Sequence, residues 1–489
     1  MLFSTIEFVI FFIVVLTSLV IIKHRNFQHL IILAASYFFF YYTSNYLIIL
    51  LIFTTIWDFY FGKIIYKTDD QKKKKLLLIA SLVGNLGLLG FYKYVDFAIT
   101  QFNILGNYFD LNISVSLLNI ALPIAISFYT FHSITYTVGL YRRHFEPAKT
   151  FTEYALFVAF FPQLVAGPIL RAKEFLPQLR QKIENFGSKD KLRQITIESS
   201  NLKYGITLMA FGFLKKMFFA DNISPLVNEI FTNTIGSESF TIILGAIAFG
   251  IQIYCDFSGY TDIALGAALI MGFKIPVNFN KPYFATSPSD FWRRWHISLT
   301  TWLRDYLYIP LGGNKRSKLR TYFNLMIVMF LGGLWHGASL NFIIWGVLHG
   351  SYLAIHKIIS DKFPILKNHK FFKTRFGTFA SIVGTQYLVF LTWIAFRVQD
   401  TNVMLYAMQK YVIWDFQILN TIGILKAHKL ELVLIVLFIF VHIISFKKQN
   451  IREIIASNIL YLTSFVIGVT LLILFFFDGN TEDFIYFKF

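Results

Sequence analysis

Apolar runs approaching the length of a membrane crossing recur along this chain, and they restrict its fold more than any other feature. Phe240–Tyr254, Thr378–Phe396 and Leu460–Phe477 are clear cases. A helix needs about 20 predominantly apolar residues to cross a bilayer. In hydrocarbon every backbone N–H and C=O must be satisfied within the protein, so only helices and closed barrels cross. Runs of this length predict helices. Composition agrees: 56% of the 489 residues are hydrophobic and the mean hydropathy is +0.58. Soluble domains hold roughly 45–50% apolar residues even with Gly counted. The expectation is an all-α integral membrane protein, one polytopic domain over residues 1–489 with no sizeable soluble part.

Lys and Arg number 45 against 27 Asp and Glu, a formal charge of +18. On a soluble chain that excess would raise nucleic acid as a partner. Here basic loops held on the cytoplasmic side explain it, and no nucleic-acid partner is expected. The single Cys255 excludes an intrachain disulfide and a multi-cysteine metal site. Thr5–Ile22 has neither the basic lead nor the small-residue cleavage site of a signal peptide. It reads as a retained first span with its N-terminus outside.

In order, the chain predicts spans near Leu30–Tyr42 and Tyr46–Ile64, joined at Thr43-Ser44-Asn45, then a cytoplasmic basic loop at Lys67–Lys75. Leu76–Tyr92 is read as crossing outward and Leu111–Tyr129 as returning. Phe151–Leu170 is apolar but holds Pro162, Gly167 and Pro168, with basic residues on both sides. It is either re-entrant or a kinked span. Glu174–Lys203 reads as a cytoplasmic loop with room for an amphipathic helix. Tyr204–Phe219 carries Lys215 and Lys216 near its end and reads as tilted or interfacial. Phe240–Tyr254 runs into Cys255–Phe273, where Gly266, Ala267 and Ala268 allow close helix packing. Asn341–Ile355, Thr378–Phe396, Leu430–Ile444 and Leu460–Phe477 complete a set of about ten to twelve membrane segments.

One stretch departs from its apolar surroundings. Phe291–Gly337 holds His296 and His336 around a basic segment with paired glycines and a proline. Ionisable groups at membrane depth are costly and by default functional. His336 follows Gly332 and Gly333 and precedes small residues, which lets a ligand or another backbone come close. Histidine is the usual side chain for proton abstraction near neutrality. Arg293, Arg294 and Arg304, with Lys315, Arg316, Lys318 and Arg320, either anchor the interface or bind a phosphorylated donor. Gly312-Gly313-Asn314 reads as a tight turn and matches no phosphate-loop pattern. Asp256 and Asp262, six apart, either line a polar pathway or pair with basic residues on other helices. His24, His29, His132, His144, His349, His356, His369, His428 and His442 read as packing or loop histidines.

These residues resemble the membrane-bound O-acyltransferase family, in its AlgI-like bacterial branch. Leu122–Arg142, Phe160–Phe175, Gly212–Asp221, Asp256–Gly266, Asn278–Asn314 and Leu331–Gly350 carry the resemblance, and FIYFKF at Phe484–Phe489 looks like the branch's usual end, implying a complete chain. The resemblance implies a ring of tilted helices around a thin centre crossed by a tunnel. It implies transfer of an acyl group, usually acetyl, from a cytoplasmic thioester such as acetyl-CoA to hydroxyls across the membrane. It places the catalytic histidine on His336 and a second motif histidine on His296, the latter orienting the acyl group or bonding the oxyanion. Arg293, Arg294, Arg304 and Trp335 become candidate donor-binding residues. No metal and no resident cofactor are expected. An extracytoplasmic SGNH-type partner and a polysaccharide acceptor are expected, at the bacterial inner membrane. A DltB-like D-alanyl transferase and a multi-pass transporter or flippase are the competing readings. Where the family usually has an acid before Tyr141-Arg142, this chain has Gly139.

Overall fold

The computed structural model describes residues 1–489 except 23, 112, 165–166, 185–196, 364, 366–368, 478–481 and 489. The described residues are helices and their connections, with no strand among them. Seven helical stretches among them are long and apolar enough to cross a membrane. Asn26–Lys67 is one of these and holds two helices; Ile6–Ile21 is apolar but shorter. The other segments expected to cross are broken or irregular, for reasons that differ from one to the next.

The chain forms two compact units. The first comprises Met1–Met209 and Asp262–Pro276. Helices Arg25–Ser44 and Ile48–Lys67 meet where expected, at Asn45, which has a positive φ of 48°, a region in which Asn is enriched. The Lys72–Lys75 run is not a loop. Asp70 accepts from the Lys72 and Lys73 amides at 2.8 and 2.9 Å, so a 38-residue helix, Gln71–Tyr108, starts before the lysines. The returning span expected at Leu111–Tyr129 is also absent. Residues 113–125 are irregular, with Asn119 and Ala125 left-handed and Pro123 between them. Side chains of the preceding helix satisfy this backbone. Asn103 pairs with both backbone groups of Val115, and the Asp96 carboxylate accepts from the Leu118 and Ile120 amides. The helix begins at Ile126 instead.

Phe151–Leu170 resolves into two short helices, Phe151–Ala159 and Phe161–Leu164, broken just before Pro162. Nine residues rise only about 14 Å, too little for a crossing. The side chains of both helices are almost all buried, and Ser36 accepts from the Phe161 amide while His132 accepts from that of Leu170. It is a buried, broken segment rather than a kinked span. Ala172–Glu184 is helical, and the remainder of the expected loop at 185–196 lies outside the described residues. A Cβ at Gly266 would lie 2.4 Å from the Gly205 carbonyl, which explains how helices Ser199–Phe213 and Ser239–Ile270 pack so closely there. At Gly139 a Cβ would meet the Phe145 ring at 2.3 Å, so that position has no room for an acid while Phe145 stays. Arg143 pairs with Asp69 instead.

The second unit comprises Ala210–Thr261 and Val277–Phe489. Here the helix from Ser199 widens into a π-helical turn, Leu214–Ala220, and continues as Asp221–Thr232. The interfacial reading of its lysines fails for Lys216, which is 1% exposed and ion-paired with Asp221 and Asp256. Lys215 donates to Ser258. Helices Lys318–His336 and Leu340–Lys362 form a hairpin whose backbones nearly touch. A Cβ on Gly333 would stand 2.2 Å from the Phe342 carbonyl, and one on Gly346 would stand 2.5 Å from that of Met329. Gly333 therefore admits another backbone, not a ligand. Helices Arg375–Arg397, Lys429–Lys447 and Ile459–Phe476 follow near their expected positions.

Candidate functional site

His336 is the last residue of helix Lys318–His336. The helix stops at Gly337, where a Cβ would meet the Phe342 ring at 2.2 Å, so the exit turn needs the bare backbone. This fixes the imidazole between two helices. Its ring neighbours are Trp335, Trp345, Phe396, Tyr486 and Phe342, with centroids 4.9, 4.9, 5.0, 5.7 and 6.3 Å away.

His296 sits in the turn between helices Pro288–Arg294 and Ile297–Leu303. Its φ is 42°, a left-handed conformation that costs a non-glycine residue roughly 1–2 kcal/mol. Such residues persist where surrounding structure holds them, often at functional sites. Asn278 helps to hold this turn: its carbonyl accepts from the Ile297 amide and its side chain from Ser298. The imidazole is fully buried against Phe257 at 4.8 Å and Trp335 at 6.1 Å. Neither of its ring nitrogens has a hydrogen-bond partner among the described residues. A buried polar group left this way needs an explanation, and a reacting ligand is one.

Trp335 touches both histidines, so the three belong to one ring-walled cluster with Phe257 and Tyr486. Of the three arginines, Arg294 and Arg304 have contacts of their own. Arg293 is exposed, Arg294 pairs with Asp290 at 3.0 Å, and Arg304 pairs with Asp305 at 2.7 Å. A separate open cavity lined by Arg316, Ser317 and Arg320 lies at the start of helix Lys318–His336. That helix has 19 residues, so its basic end and His336 are about 28 Å apart. Gly312 and Gly313 both have positive φ, 107° and 55°, as the tight turn at 312–314 requires.

Sequence reasoning missed two parts of this region. One is Tyr486, which the FIYFKF resemblance singled out without giving it a place. The other is the Lys216–Asp256 pair at 2.9 Å. Pairing was one of two readings for Asp256, and a lysine in an apolar run implies a carboxylate partner. Nothing in the spacing identified which one. His349 bonds Trp292 and Thr392, and His132 bonds the Leu170 amide, as packing histidines do.

The sequence profile described as "MBOAT, membrane-bound O-acyltransferase family" matches residues 149–384, which include both histidines. The "Probable alginate O-acetylase AlgI" of Pseudomonas aeruginosa is 40% identical over 348 residues, covering 70% of this chain and 62% of that protein. The "Peptidoglycan O-acetyltransferase" of Helicobacter pylori is 35% identical over 347 residues, covering 66% and 62%. The "Teichoic acid D-alanyltransferase" of Bacillus subtilis is 32% identical over 250 residues, covering 48% and 58%. The matches thus span less than two thirds of these relatives' own lengths.

Proposed function

The chain belongs to the membrane-bound O-acyltransferase family, and from that premise we propose that it transfers acetyl from a cytoplasmic thioester to a hydroxyl across the bacterial inner membrane. The observation that carries this reading is the buried cluster of His296, Trp335 and His336, in which neither ring nitrogen of His296 is met among the described residues. His336 is the general base. The acceptor oxygen attacks the thioester carbonyl carbon while His336 takes its proton. The C–S bond then breaks, and the thiol leaves with that proton. His296 donates to the oxygen on which negative charge develops, in surroundings of low dielectric that strengthen the bond.

Acetyl-CoA is the donor of this reading, and the basic end of helix Lys318–His336 supports contact with its phosphates. Arg293, Arg294 and Arg304, in the same stretch of sequence, are further candidates for those contacts. The acceptor class is a cell-surface polysaccharide, with alginate and peptidoglycan drawn from the relatives' names. An extracytoplasmic SGNH-type partner completes delivery. The test is consumption of acetyl-CoA by the purified protein, set beside an aminoacyl carrier-protein thioester. Thiol release from acetyl-CoA supports the reading. Release from the carrier protein alone moves the chain to the D-alanyl side. Release from neither, with solute transport that survives loss of both histidines, rejects acyl transfer.

A further inference from the structure

Lys216 and Asp256 form an ion pair whose side chains are 1% and 4% exposed. A pair buried so deeply loses much of its Coulombic gain to desolvation, so stability alone is a poor reason for it. The rest of its hydrogen bonding explains it better. An ammonium has three donors. Lys216 Nζ donates to Asp221 Oδ1 (2.7 Å) and to the main-chain carbonyl of Glu482 (2.7 Å), and stands 2.9 Å from Asp256 Oδ1 in the ion pair. The other oxygen of Asp256, Oδ2, accepts from the Ile485 amide at 2.8 Å. Two members of one ion pair thus hold the backbone of one segment at positions three residues apart.

The local fold is built for this. Helix Ser239–Ile270 presents Gly259 to the π-helical turn, where a Cβ would meet the Gly212 carbonyl at 2.8 Å and the Lys216 amide nitrogen at 3.0 Å. That close approach brings Lys216 within reach of Asp256. The Glu482 carboxylate adds a second anchor, accepting from Ser224 at 2.9 Å and Asn228 at 3.4 Å. Because the pair grips main chain, the side chains of the segment are left to pack. Phe484 lies 4.4 Å from the Tyr260 ring, and Tyr486 lies 4.7 Å from Phe257 and 5.7 Å from His336.

We infer that Lys216 and Asp256 are positioning residues, a clamp that seats Glu482–Tyr486 so that the Tyr486 ring closes one side of the His336 imidazole. Without the clamp, His336 keeps Trp335, Trp345, Phe342 and Phe396 but loses the wall that the segment supplies. The effect on rate rests on the acyl-transfer reading; the effect on the segment does not. An imidazole free to shift on one side loses turnover rather than donor affinity.

The experiment is hydrogen–deuterium exchange with mass spectrometry on the purified full chain, alongside kcat and donor KM for acetyl-CoA. Wild type is compared with Lys216→Met and with Asp256→Asn, which keeps the shape of the carboxylate. In both variants the peptide covering Glu482–Tyr486 exchanges at least about tenfold faster, while peptides of helix Leu340–Lys362 exchange as in wild type. In both, kcat falls about 100-fold and KM stays within about twofold. Unchanged exchange at Glu482–Tyr486 overturns the clamp. Faster exchange in Leu340–Lys362 as well overturns it in favour of a purely structural pair. Faster exchange confined to the segment with normal kcat overturns the link to His336. If wild type releases no thiol from acetyl-CoA, the acetyl-donor reading fails, and the exchange pattern alone decides the clamp.

Discussion

His349 and His296 are both buried among aromatic rings of the same unit, 1% and 0% exposed, and they differ in what their nitrogens meet. Trp292 donates to His349 Nδ1 at 3.3 Å, so that nitrogen carries no proton. The proton is on Nε2, which donates to Thr392 Oγ1 at 2.9 Å, and the hydroxyl in turn donates a hydrogen bond to the Val389 carbonyl. His349 is a closed circuit in one neutral tautomer. His296 is held in a strained turn with neither nitrogen met among the described residues. Burial and aromatic company are therefore common to both. The two differ in that His349 spends both ring nitrogens on partners, while His296 spends neither among the described residues.

Three substitutions break or sharpen that contrast. The largest effect is expected at His296. His296→Ala lowers kcat by about 10²–10³-fold, as loss of one oxyanion donor does, with donor binding kept. Steady-state thiol release measures it, and an unchanged kcat removes His296 from the site. Next comes Gly333→Ala, which drives a methyl into the Phe342 carbonyl. It destabilises the hairpin by about 1–3 kcal/mol, read as a lowered unfolding midpoint in detergent. Stability equal to wild type would mean that the close backbone approach is not needed. The smallest effect is expected at His349. His349→Gln costs about 1 kcal/mol of stability and leaves turnover near wild type, since its bonds hold helices together rather than substrate. A large fall in kcat with stability intact would erase the distinction between the two histidines.

How much of this was legible in the sequence differs from place to place. The long apolar helices were, because hydrophobic length is a local property. Thr378–Phe396 was placed within a few residues of helix Arg375–Arg397. Both histidines were singled out by the polarity of their stretch, and the resemblance then gave them roles. The Leu111–Tyr129 span failed because apolar composition alone does not make a helix. Pro123 and the left-handed residues break it, and Asp96 and Asn103 supply the bonds that a helix would have formed internally. Lys216 was misread because its partner Asp256 is 40 positions away, on another helix. Tyr486 had no assigned place because its contact with His336 crosses 150 residues of chain. Sequence periodicity reports which face of a helix is buried. It does not report which distant side chain lies against that face.

His336 bears the whole chemical reading, so it takes the most direct test. The measurement is single-turnover thiol release from acetyl-CoA by purified wild-type and His336→Ala proteins, at equal donor occupancy fixed by a binding titration. A general base in this position predicts a rate constant lower by about 10²–10⁴-fold in the variant, with donor affinity retained. A variant that is folded, binds donor and releases thiol at near the wild-type rate would contradict it.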